Sequence, residues 1–146
     1  MKPWPLRHFD ADELVKPERA EACSAGAWAC IGALGAAILD PLRAAHGHPL
    51  RVTSGYRDPA ANRAAGGSST SQHVLGQAAD IQSDHATPDE LARLVVALGL
   101  PFDQLIVESR PGGAAWLHVS YGPRHRREAL SCTDGETYTP WRPHGP

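Results

Sequence analysis

Cysteine is scarce in this sequence, and neither sign of charge predominates. Only Cys23, Cys30 and Cys132 occur, with no CxxC pair, so neither a disulfide framework nor a cysteine-based zinc site is expected. Cys23 and Cys30 fall seven apart on an expected helix, ~10 Å along its axis, too far to bridge. They read as small buried apolar residues. Lys and Arg number 14 against 16 Asp and Glu, and the pI is near 6.4, which leaves no footprint for nucleic acid. One basic run, GPRHRREAL (122–130), reads as a solvated face, with contact to an anionic polymer as the alternative. No secretory signal is read, because the first twenty residues are heavily charged, from Lys2 and Arg7 to Glu18 and Arg19. The apolar stretch ACSAGAWACIGALGAAIL (22–39) comes late for a signal and is rich in Ala and Gly. It predicts a close-packed internal helix rather than a membrane span. There is no internal repeat, heptad or long apolar edge. The expectation is one domain over 1–146, with a core of about 19–122 and a tail of 123–146, and a monomer.

What the sequence does have is punctuation and histidine. Asp10 and Glu13 have capping-box spacing, so a short helix starts in DADELV. A longer helix is expected over about 19–46, interrupted or rearranged near DPLR because Pro41 lacks an N–H. LRVTS (50–54) and AADIQS (78–83) read as strands. Between them, Asp58-Pro59 opens a short helix that Gly66 and Gly67 end. In TPDELARLVVALGL, Thr87 and Glu90 form a capping box, and Leu91, Leu94, Val95 and Leu98 make one apolar face ended by Gly99. FDQLIVES and AAWLHVSY, joined by RPGGA, predict a hairpin. The tail is expected to wrap the surface, with Trp141 pinning it. The fold class is α+β: a small antiparallel sheet with helices packed on one side.

Eight histidines raise the expectation of a metal site without locating it. His8, His46, His48, His125 and His144 lie near termini or turn-like stretches and read as incidental. His85, like Asp84, precedes a helix cap and reads as exposed. A catalytic zinc takes three nitrogen or carboxylate ligands and keeps one position open. His73 and Asp80 in SQHVLGQAAD suit that need, since Gly76 and the small Ala78 and Ala79 let the chain turn back. On spacing alone, an unrelated loop histidine and strand aspartate is the commoner case. If the hairpin turn centres on Gly113, Glu108 lies opposite His118 and Arg110 opposite Trp116, with 108, 110, 116, 118 and 120 sharing a face. A register slip of one residue would send that set to the other face. Asp103 and Gln104 are candidates to orient the histidines. Arg63 reads as a surface loop residue.

SGYR, SQHVLGQAAD and WLHVS, in that order, resemble the zinc D-Ala-D-Ala carboxypeptidase family of cell-wall peptidases. That family also holds L-alanyl-D-glutamate endolysins and shares its core with the hedgehog signalling domain. The resemblance covers about residues 50–121; RHFDADEL is also similar to the openings of phage and prophage members. It implies that His73, Asp80 and His118 hold one zinc ion. It further implies that Arg57 binds a substrate carboxylate or carbonyl near the scissile bond and that Ser71 supports that region. Trp116, which strand parity puts on the site face, is expected either to fill core or to wall the substrate cleft. Many members carry His or Glu two or three positions before the last ligand, where this chain has Trp116 and Ala115. Glu108, across the hairpin, is therefore the expected general base for a zinc-activated water. The implied substrate is a peptidoglycan stem peptide, cut at D-Ala-D-Ala or at L-Ala-D-Glu; a zinc-binding module without activity is the competing reading. Without an export signal, such a protein is expected to be made in the cytoplasm and to reach the wall after release, as phage endolysins do.

Overall fold

The structure is a computed structural model and describes residues 4–143; His144 of the incidental histidines lies outside them. Three helices begin at the caps read from the sequence, and the long one begins at Ala25, not near residue 19. Glu13 accepts from the Asp10 N–H (2.6 Å) at the start of α1 (Ala11–Leu14). Ser24 caps α2 (Ala25–Leu34), which leaves Cys23 outside the helix. Pro41 does not break the long helix. The chain passes from α2 through a π turn (Gly35–Leu39) into α3 (Asp40–His46), with the Asp40 N–H bonded to the Gly35 carbonyl. Widening the ladder there accommodates a residue that cannot donate. Among the described residues, Ala25–His46 has the length and mean hydropathy (1.5) of a membrane span, contrary to the expectation from its small residues. Its Ile31, Leu34, Ile38, Leu39 and Leu42 are all buried in the core.

Asp58 caps α4 (Pro59–Ala64), its carboxylate accepting from the Ala61 N–H (2.7 Å). Thr87 and Glu90 form the box of α5 (Pro88–Ala97). Leu91 and Val95 are fully buried, but Leu98, expected on the same face, is 42% exposed because the helix has ended before it.

One sheet of six strands runs in the order β1-β2-β4-β3-β5-β6. These are β1 (Arg51–Ser54), β2 (Ala78–Gln82), β3 (Gln104–Ser109), β4 (Ala115–Ser120), β5 (Glu128–Cys132) and β6 (Tyr138–Pro140). All pairings are antiparallel except β3 with β5, which is parallel. The fold is α+β, as expected. The tail, however, does more than wrap the surface: it supplies β5 and β6. Trp141 pins its end, donating its backbone N–H to Ala129 and its indole N–H to Asp89 (2.7 Å).

Alternation along the strands divides the sheet into two faces. Ala79, Ile81, Leu105, Leu117 and Val119 point into the core with Leu34, Ile38, Leu91 and Val95 of the helices. Asp80, Ile106, Glu108, Trp116 and His118, of opposite parity, line a cavity of about 770 Å³ on the other face. A single sheet therefore carries the hydrophobic core on one side and a polar cavity on the other.

Candidate metal centre

The hairpin turn centres on Gly112, not Gly113. Arg110 donates to the Ala114 carbonyl (2.8 Å), and Gly112 and Gly113 take φ of 96° and 98°, which suits residues without a Cβ. Glu108 therefore pairs with Trp116, and Ile106 with His118, instead of Glu108 with His118 and Arg110 with Trp116. Moving the centre by one residue shifts partners by two, so every side chain keeps its face. Glu108 becomes the diagonal neighbour of His118, about 7–8 Å away in a regular antiparallel pair.

Asp80 of β2 pairs directly with His118 of β4. The third residue arrives on a local turn. In SQHVLGQAAD the Gln77 N–H bonds the Gln72 carbonyl (2.9 Å) and the Gly76 N–H bonds the His73 carbonyl (3.3 Å), the pattern of a helical turn closed by a left-handed residue. Gly76 supplies that residue, at φ 75°, and a Cβ there would strike the Ala27 carbonyl. The turn delivers His73 to the sheet face just before β2 begins.

His73, Asp80 and His118 each offer one ligand atom, and these lie within 4.8 Å of one another. Asp80 Oδ1 is 3.3 Å from His73 Nε2 and 3.0 Å from His118 Nδ1. His73 Nδ1 lies 2.8 Å from the Gly55 carbonyl. A carbonyl only accepts, so Nδ1 carries a proton and the neutral imidazole directs the Nε2 lone pair at Asp80 Oδ1. Two acceptors facing each other need a proton or a cation between them. This donor set of two imidazoles and a carboxylate, all nearly buried, fits a divalent metal such as zinc. Gly55 holds its carbonyl there because Leu14 packs on its α-carbon, where a side chain would collide. With a proton rather than a cation between His73 and Asp80, burial would still raise the Asp80 carboxyl, but hydrogen bonds from His118 and His73, and the positive charge they then carry, outweigh it and hold that carboxyl well below the usual carboxylate range.

Arg57 lies against Asp80, not apart from it. Its Nη2 donates to Asp80 Oδ2 (3.4 Å), its Nε to Ser54 (3.0 Å) and its Nη1 to Asn62 (3.4 Å). It thus occupies the outer carboxylate oxygen and leaves Oδ1 to the histidines. Ser71 Oγ accepts from the His73 N–H (3.2 Å). Glu108 is 8% exposed; its Oε1 accepts from Arg110 (3.0 Å) and its Oε2 from the Trp116 indole (3.1 Å). Arg110 also lies over the Trp116 ring. Arg57, Ser71, Glu108, Arg110 and Trp116 all line the same cavity as the candidate ligands.

Asp103 and Gln104 do not orient the histidines. Fully buried Asp103 accepts from Gln72 (2.8 Å) and, three times, from Arg126. Gln104 donates to Glu128 (2.6 Å). The positioning partners that sequence reasoning missed are the Gly55 carbonyl, which no side-chain pattern signals, and Arg126, hidden in the run read as a solvated face. Arg126 and Arg124 of that run line the cavity. His85 is exposed, as expected, but it stacks on His48 with centroids 3.9 Å apart, and His46 packs on His48 in turn.

Two antiparallel strands and the turn before them bring a buried histidine–aspartate–histidine set to one cavity, a candidate metal centre. The chain belongs to the peptidase M15 family, whose model matches residues 7–120. That span holds β1 to β4 and all three candidate ligands; β5 and β6 lie beyond it. No curated protein matches the chain.

Proposed function

We propose that this protein is a zinc peptidase that hydrolyses peptidoglycan stem peptides, with the D-Ala-D-Ala bond as the first candidate and L-Ala-D-Glu as the second. The observation that carries the reading is the facing of His73 Nε2 and Asp80 Oδ1 at 3.3 Å beside His118, in a cavity shared with Glu108 and Arg57. A zinc ion held by these three residues supplies a Lewis acid and acidifies water at neutral pH. Glu108 accepts the proton of the attacking water and returns it to the leaving amine. Glu108 is the diagonal neighbour of His118 and lines the same cavity. Arg110 and Trp116 fix the carboxylate by one hydrogen bond to each oxygen, and the remaining lone pairs accept the proton. Arg57 stabilises negative charge developing on the carbonyl oxygen, and Trp116 walls the cleft.

A second reading has one observation in its favour. Both Glu108 oxygens already have donors, as they would in a zinc-binding module without activity. The experiment is to incubate the zinc-loaded protein with purified stem pentapeptide and muropeptides and to identify products by mass. Release of D-alanine by wild type and its loss in Glu108→Ala support the peptidase. Cleavage after L-Ala instead assigns the other bond. Bound zinc with every substrate left intact supports the inactive module.

A further inference from the structure

Arg57, Arg110, Arg124 and Arg126 all line the cavity, and three of them already have a carboxylate partner in the protein. Arg57 is held by Asp80, Ser54 and Asn62. Arg110 is paired with Glu108 and donates to the Ser109 carbonyl. Arg126 is locked on Asp103, whose carboxyl its hydrogen bonds hold well below the usual carboxylate range. Arg124 is exposed and has no hydrogen bond, ion pair or ring contact among the described residues.

The backbone that carries Arg124 is anchored on both sides. The His125 ring packs edge-on against Tyr121, with centroids 5.4 Å apart. Arg126 binds Asp103 through its backbone N–H (2.8 Å) as well as its guanidinium, and the Glu128 N–H bonds the Asp103 carbonyl (2.9 Å). Asp103 in turn holds Gln72, the neighbour of candidate ligand His73. His125 and Arg127 sit at φ of 42° and 50°, left-handed conformations that cost non-glycine residues energy and persist only where the surroundings enforce them. The result is a fixed loop that presents a free guanidinium at the cavity wall and is tied through one buried carboxylate to the metal-site turn.

We propose that Arg124 binds a carboxylate of the peptide substrate and so selects for acidic peptides. The inference rests on the peptidase reading above and names which ligand group that site prefers. The planar fork of arginine grips carboxylates bidentately, and the charge of Arg124 is the one in the cavity lining left without a counter-ion among the described residues. Two carboxylates of a stem peptide have this chemistry: that of its internal D-glutamate and that of its C-terminus.

The test uses stem pentapeptides with each carboxylate free or amidated, one at a time. It has two readouts. One is kcat/KM of the zinc-loaded protein; the other is the Kd of the metal-free protein by tryptophan fluorescence, where no turnover interferes. Wild type is expected to prefer the free form of one carboxylate by about tenfold, the scale of one exposed charge-assisted hydrogen bond. Arg124→Gln should erase that preference and Arg124→Lys should keep part of it. If Arg124→Gln retains the full wild-type preference at both carboxylates, or wild type cleaves all forms equally, the inference is overturned while the peptidase reading stands. If no peptide is cleaved yet the metal-free protein binds one free form more tightly in an Arg124-dependent way, the carboxylate site stands and the peptidase reading falls.

Discussion

On one wall of the cavity, Asp80 and His118 are paired strand residues and His73 arrives on a glycine-closed turn. On the other wall, Arg124 and Arg126 come from the loop before β5, and Leu130 and Tyr138 from the two last strands. The first wall gathers the candidate metal ligands and the proposed base, and its order rests on the strand ladder. The second adds arginines, and the loop that carries them is held by the salt bridge between buried Asp103 and Arg126. Sheet pairing positions the candidate ligands to within a side chain, whereas the arginine loop of the second wall leans on an electrostatic clamp. The two walls should therefore fail differently when altered.

The largest effect is expected on the first wall. Asp80→Ala or His118→Ala should lower zinc affinity by more than about a hundredfold, the upper end of what outer partners alone cost, read by competition with a chelating dye. Both histidines must be neutral to ligate, so wild-type zinc affinity should also fall on acidification. Glu108→Ala should lose about 10²–10⁴ in hydrolysis and keep its zinc, which separates proton transfer from metal binding on the same wall.

The clamp comes next. Arg126→Ala leaves Asp103 buried without its cation and should cost about 3 kcal/mol in denaturant unfolding, with metal affinity much less affected. The sign of its pH dependence follows from the lowered Asp103 carboxyl. That contribution is complete above the unfolded value of about 3.9 and is lost as pH falls through the folded value. The stability gap between wild type and Arg126→Ala should therefore be full at neutral pH and close below about pH 4. A gap that widens in acid would break the assignment. The smallest effect is Trp116→Phe, which removes one hydrogen bond to Glu108 worth about 1 kcal/mol and should slow hydrolysis several-fold without altering zinc content.

The same contrast governs what the sequence could reveal. Strand alternation placed Asp80, Glu108, Trp116 and His118 on one face, and parity survived a mistaken turn centre because the error moved partners by an even number. Capping residues marked the starts of α1, α4 and α5. The second wall was not legible. Glu128–Cys132 and Tyr138–Pro140 lack clean alternation, and β5 pairs in parallel with β3, a contact that no turn announces. Arg126 looked like any surface arginine because its partner, Asp103, lies 23 residues away, and the Gly55 carbonyl that fixes the His73 tautomer is backbone.

Calorimetric titration of zinc into metal-stripped wild type and Asp80→Ala tests the centre most directly. One tightly bound zinc per chain in wild type, absent from Asp80→Ala, is the predicted result. No binding by wild type, or equal binding by both, would contradict a metal site at His73, Asp80 and His118.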